Sequence, residues 1–114
     1  MSNDITAFPP DGPSVAADLK AAAFVAKSLG DENRLRILLL LRQGRQSVSA
    51  IAEQLGISQP LVSHHLKELR RGLLVVVERE GPFVYYELAD GRIVLILDQI
   101  GRLAADLLNS RRGF

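Results

Sequence analysis

From Ser47 to Glu80 the apolar positions keep a helical period through two short segments and then change to that of a strand. Over SVSAIAEQL, Ile51, Ala52 and Leu55 recur at helical spacing and form one apolar stripe. Gly56 supplies a residue that can turn left-handed at the end of that helix, and Ile57 plugs the corner. Ser58 then stands at an N-cap, where its hydroxyl can accept from a free backbone N–H of the next turn. In the helix that follows, at about 100° per residue, Val62, Leu66 and Leu69 fall within one narrow arc that must face a core. Gln59, Pro60, Ser63, His64 and Lys67 occupy the opposite arc. The period then shortens to that of strands. Leu74–Glu80 and Phe83–Leu88 flank the turn dipeptide Gly81-Pro82, which predicts an antiparallel hairpin with Val84, Tyr86 and Leu88 on one face and Phe83, Tyr85 and Glu87 on the other. Two short helices, a tight turn and a hairpin make a winged helix-turn-helix, whose second helix normally enters the DNA major groove.

The flanking segments complete the architecture. Ser14 is expected to cap a first helix reaching Ser28, with Val15, Leu19, Ala22, Ala23 and Ala26 at helical spacing. Gly30-Asp31 ends it and caps a second helix running through ILLLL to Gln43, the element expected to be most buried. Asp90 caps a long last helix. Its stripe of Ile93, Ile96, Leu97, Ile100, Leu103, Ala104 and Leu107, widened by Val94, Leu95 and Leu108, is too broad for one small domain to bury. A two-fold dimer resolves this, through Leu19, Ile93, Ile96, Leu97, Ile100, Leu103 and Leu107; the alternative is packing of the stripe into the chain's own core. Asp98, Arg102 and Asp106, four residues apart, read as surface ion pairs on the polar side. The expected fold is mainly α with a β-hairpin wing (an α+β class), in the order α-α-α-α-β-β-α, dimeric through its first and last helices. Residues 1–13, with three prolines, are expected to form a flexible arm, and residues 14–114 the DNA-binding and dimerisation domain.

Composition narrows the function. A chain of 114 residues supports one domain with a modest core. No apolar run reaches the roughly 18 residues a membrane span requires, and the acidic, proline-containing start lacks the form of a signal peptide, so a cytoplasmic location is expected. The net charge of +1 says little, but residues 34–46 carry Arg34, Arg36, Arg42 and Arg45 without an acid, while residues 1–33 hold two lysines against five acids. A double-stranded DNA partner would thus meet a locally basic surface. The DNA-contacting set is expected to be Ser58, Gln59, Pro60, Ser63, His64 and Lys67 on the second helix of the motif, with Arg36 and Arg79 beside it. Hydroxyl, amide and imidazole groups suit base edges, whereas Lys67 and Arg36 suit phosphates. An enzyme is not expected. There is no cysteine, no glycine-rich phosphate loop, no paired histidine and carboxylate at useful spacing, and no serine in a nucleophile motif. The alternative is a winged-helix protein-interaction module without sequence-specific DNA binding.

The segments SLGDENRLRILLLL, IAEQLGISQPLVSHHLKELRRGLL and VEREGPFVYYEL, which together cover about Leu29 to Leu88, resemble the ArsR/SmtB group of small bacterial winged-helix repressors. The resemblance implies a homodimeric transcriptional repressor that leaves its operator when an inducer binds. It also implies where an inducer would be sensed, and here the chain departs from the group. Ser47 and Ser49 stand where many members carry a Cys-x-Cys pair, and a neutral hydroxyl is a poor ligand for soft ions. No histidine follows His65, so the metal ligands that other members place on the last helix are absent too. His64 and His65 are adjacent on one helix, point about 100° apart and cannot chelate one ion together. No metal and no cofactor are therefore expected; switching, if there is any, would come from an unidentified small molecule between the first and last helices or from altered protein abundance. Two departures bear on DNA contact. Leu73 replaces the glycine usual at the end of the recognition helix, with Gly72 available to shift that end by one residue, and Pro82 at the wing tip leaves Arg79 as the nearest base.

Overall fold

A computed structural model describes residues 18–111; the arm expected over 1–13 and the cap expected at Ser14 lie outside the described residues. The elements are α1 (Leu19–Ser28), α2 (Glu32–Leu41), α3 (Val48–Leu55), α4 (Gln59–Arg71), β1 (Val75–Glu80), β2 (Phe83–Leu88) and α5 (Arg92–Arg111). This is the expected order. The second helix stops two residues short of Gln43, where Gly44 takes a φ of +125°.

Side-chain caps set the helix starts. Asp31 accepts from the Arg34 N–H at 3.1 Å, Ser47 from Ala50 at 3.1 Å and Ser58 from Leu61 at 3.2 Å. Asp90 accepts from the Arg92 N–H at 2.8 Å and grips its guanidinium, a hydrogen-bonded pairing that lowers the Asp90 carboxyl to about 2. Gly56 closes α3 in the left-handed conformation, at φ +68°.

The core lies where α2, α3 and α4 meet. Ile37, Leu38, Leu41, Ile51, Val62, Leu66 and Leu69 are its fully buried side chains, and Leu74 and Val75 seal it at the root of the wing. At roughly 1.5–3 kcal/mol for each buried large apolar side chain, this cluster is the main stabilising feature of the domain. The helix expected to be most buried shares that role with α4, because Leu39 on the far side of α2 is 40% exposed.

The two strands pair antiparallel from Val75 opposite Leu88 to Glu80 opposite Phe83. Gly81 has a φ of +60°, and Pro82 locks its own φ near −65°, the sign pattern of a type II′ turn. Gln46 adds one antiparallel rung to Tyr86, with N–H···O distances of 2.9 and 2.8 Å in the two directions. Beside that rung, the Arg45 guanidinium donates to Glu78 (2.7 Å) and Glu80 (3.0 Å) and lies 4.3 Å from the centre of the Tyr85 ring. The loop before α3 therefore fixes the wing relative to the helix-turn-helix.

The end of α4 differs from expectation. Gly72 does not become the left-handed residue; its φ is −78°, and Leu73 adopts +66° instead. The Leu74 N–H reaches the Leu69 carbonyl at 2.9 Å and the Leu73 N–H reaches that of Arg70 at 3.0 Å, which together form a Schellman motif. Leu69 and Leu74 are both buried behind it, so the motif supplies its own apolar contact while leucine bears the strain. Gly72 serves packing. A Cβ there would stand 2.0 Å from the Ser28 hydroxyl, so only glycine admits α1 at this distance.

Candidate nucleic-acid interface

In α4 the two arcs of the sequence separate as the helical period requires. Val62, Leu66 and Leu69 are fully buried, while Ser58, Gln59, Pro60, Ser63, His64 and Lys67 are all exposed. The exposed set forms one contiguous strip along the first two and a half turns. The Ser58 oxygen is engaged by the Leu61 N–H, which leaves its hydroxyl proton free to donate to an oxygen outside the protein. Gln59 offers an amide that can both give and accept, His64 an imidazole, and Lys67 an ammonium that pairs with no carboxylate among the described residues.

The two flanking cations differ. Arg79 is exposed near the tip of β1, beside Val84 of the partner strand, and makes no ion pair among the described residues. Arg36 is exposed on α2 but pairs with Glu32 one turn earlier, which offsets its charge. Arg45 has a task that no local sequence pattern discloses. Its hydrogen bonds to Glu78, then Glu80, raise its pKa further and offset part of the wing's negative charge. Its partners lie 33 and 35 residues away, so no local pattern could have exposed the link.

The two histidines have opposite fates. His64 faces out. His65 is 6% exposed, on the apolar arc with Val62 and Leu69, an arc position the helical period places there although the residue is polar. Its Nε2 lies 3.6 Å from Asp31 Oδ2, and its Nδ1 is buried without a hydrogen-bond partner. Burial pushes the imidazole below its ordinary pKa; Asp31 opposes this, and Arg34 and His64 reinforce it. Burial tends to raise the Asp31 carboxyl, but the Arg34 N–H bond and then the His65 and Arg34 charges outweigh that effect and hold it below its usual value.

The serines that replace the group's Cys-x-Cys pair sit at the start of α3. Ser47 caps α3, and its hydroxyl lies 3.2 Å from that of Ser49. Among the described residues, no three His, Cys, Asp or Glu side chains are grouped to hold one ion. Nor is any described helix long and apolar enough to cross a membrane.

The apolar face of α5 divides. Ile93 and Leu97, expected at the dimer surface, are buried at 7% and 8% accessibility in the chain's own core, because the first two turns of α5 rest on α2. The rest of the predicted interface is open: Ile96 is 50% exposed, Ile100 43%, Leu103 57% and Leu107 60%, as is Leu19 of α1 at 56%. Asp98 and Arg102 pair at 2.9 Å on the polar side, as expected, whereas Asp106, expected in the same series, makes no ion pair among the described residues.

Comparison with known proteins places this arrangement. The family model for bacterial regulatory proteins of the arsR family matches residues 31–75. Over 90 residues the chain is 41% identical to the transcriptional regulator NmtR of Mycobacterium tuberculosis, an overlap of 76% of this chain and 75% of that protein. It is 35% identical over 91 residues to the transcriptional repressor SmtB of the same species, covering 79% of this chain and 67% of that one. The fold is also that of the homodimeric winged helix-turn-helix DNA-binding domain of Mb0332 from Mycobacterium bovis. Their TM-score is 0.71 and their identity 33%, across 87% of this chain and 92% of the other.

Proposed function

The chain belongs to the arsR family of bacterial regulatory proteins and is a DNA-binding transcriptional regulator, and from that premise we propose that it acts as a homodimeric repressor on an inverted-repeat operator. The observation that carries this reading is the division of α4 into a buried apolar arc and a fully exposed polar strip from Ser58 to Lys67. Such a helix, held by a Schellman motif at one end and a serine cap at the other, is a rigid reader of a groove. Gln59 and His64 discriminate bases, with Ser58, Pro60 and Ser63 completing the strip at the base edges and sugar–phosphate rim. Lys67 and Arg79, and Arg36 once released from Glu32, bind phosphates.

Two-fold pairing through Leu19, Ile96, Ile100, Leu103 and Leu107 would set the two readers about one DNA turn apart, ~34 Å. Residues 14–114 act as a single unit for binding and pairing, and the work takes place in the cytoplasm, where chromosomal DNA is reached. The protein catalyses no reaction and holds no resident metal or cofactor. The absence of a metal is supported at Ser47 and Ser49, since the Ser47 hydroxyl is committed to capping α3 and the Ser49 hydroxyl lies within hydrogen-bond distance of it.

Selection of bound sequences from a random DNA pool tests the proposal directly. An enriched inverted repeat, lost on replacing Gln59 and His64 by alanine, is the expected result. A pool that stays random would favour a protein-interaction module instead.

A further inference from the structure

The junction between α1 and the reading domain contains a cavity. Helix α1 buries no residue of its own; Val25 and Leu29 rest on the edge of the core, and its C-terminal end is the point of attachment. Arg34 donates from Nε to the Ser28 carbonyl at 2.7 Å and from Nη2 to that of Lys27 at 3.3 Å, and the close approach to Gly72 completes the joint. Beside this joint lies a half-enclosed cavity of about 210 Å³, lined by Phe24, Lys27, Ser28, Arg34, Glu68 and Arg71 together with Gly72. It is smaller than the roughly 300–1,000 Å³ of sites that take drug-sized ligands.

The lining has a chemical direction. Three cations, Lys27, Arg34 and Arg71, stand against one carboxylate, Glu68, which is shared with Arg71 at 3.3 Å. Among the described residues Lys27 makes no ion pair. The Phe24 ring, 49% exposed, supplies an apolar wall. At about 100° per residue, Phe24, Lys27 and Ser28 share one face of α1, whereas Leu19, Ala22, Ala23 and Ala26 centre roughly 140° away. Pairing of two copies through the second face therefore leaves the first free.

We propose that this cavity is a binding site for a small organic carboxylate, its anionic end held by Lys27 and Arg71 and its apolar body against Phe24. Arginine's planar fork suits a carboxylate, and the cationic excess needs an anion to balance it. The site lies between the helix that offers Leu19 for pairing and the end of the helix that reads DNA, so an occupant would bias their relative placement. The binding claim itself does not rest on the operator reading, and its test needs no DNA.

The test is a nuclear magnetic resonance titration of the full chain with benzoate, its neutral counterpart benzamide, and inorganic phosphate. Benzoate should shift the Lys27, Ser28 and Gly72 amides saturably at millimolar concentration, and benzamide and phosphate should not. Lys27→Gln with Arg71→Gln, both on exposed side chains, should weaken the benzoate effect at least tenfold while leaving the rest of the spectrum intact; Phe24→Ala should weaken it without changing the selectivity for charge. Absence of saturable shifts with benzoate would overturn the proposal. So would equal shifts with benzamide, which show no role for charge, or with phosphate, which show none for the apolar body.

Discussion

Helices α4 and α5 start from the same kind of pattern, an apolar stripe at helical spacing along an otherwise polar surface, and end in opposite circumstances. In α4 every member of the stripe is buried within the chain, and what remains outside is polar except for Pro60 and Leu61 at the first turn. In α5 only Ile93 and Leu97 are buried; at 20 residues and about 1.5 Å per residue the helix is roughly 30 Å long and extends past the core, carrying Ile100, Leu103 and Leu107 into the open. A satisfied apolar arc leaves a helix free to recognise through its polar side. An unsatisfied one demands a partner of its own kind. On the function proposed above, the two helices divide the protein's two tasks, reading and pairing.

The division can be broken first at α4's buried side. Leu66→Ala removes a fully buried side chain at the centre of the core and should cost about 2–5 kcal/mol of unfolding free energy, measured by urea titration. A loss below about 1 kcal/mol would mean that α4 is not anchored as described. On its outer side, Gln59→Ala should leave stability unchanged and relax discrimination at one base position by about 1–3 kcal/mol, whereas Lys67→Ala should weaken binding to all sequences alike and reduce the salt slope by about one unit. Equal losses on specific and random DNA for both variants would contradict their separate roles.

At the end of α4 the expected change is smaller and of opposite sign. Leu73→Gly relieves a left-handed leucine that is 72% exposed, and should stabilise the fold by about 1 kcal/mol with DNA binding unaltered. Destabilisation would show that the Leu73 side chain contributes a contact that outweighs its strain.

The smallest effect concerns His65. Its folded pKa is depressed, so the fold favours the neutral imidazole; above the unfolded value near 6.5 both states are neutral and nothing is lost. As pH falls below that value the unfolded chain takes up the proton more readily, and stability declines. His65→Gln should flatten the decline between pH 7 and 5.5. An identical pH dependence in both proteins would remove His65 as its cause.

These contrasts also show which features were legible in the sequence. Ser58 as a cap, Gly56 as a left-handed stop and the Gly81-Pro82 turn are local signals, and each took its expected place. Spacing likewise sorted the exposed strip of α4 from its buried arc, but the polar identity of His65 hid its membership of the core. Gly72 looked like the helix terminator because glycine relieves a positive φ. Its actual task, making room for Ser28, depends on a helix more than forty residues away in sequence. Ile93 and Leu97 carry the same pattern as Ile100 and Leu103, and only packing against the rest of the chain separates core from free surface. The Arg45 bridge to the wing is invisible for the same reason: its parts meet only in the fold.

The central claim is that the open half of α5 pairs two copies and thereby aligns two readers. Ile100→Arg tests it most directly, since Ile100 is exposed in the single chain and can be changed without entering the core. Sedimentation equilibrium of the wild type and the variant, followed by fluorescence anisotropy on the selected operator, should show a dimer that binds tightly and a folded monomer that does not. A monomeric variant that retains full operator affinity would contradict the account.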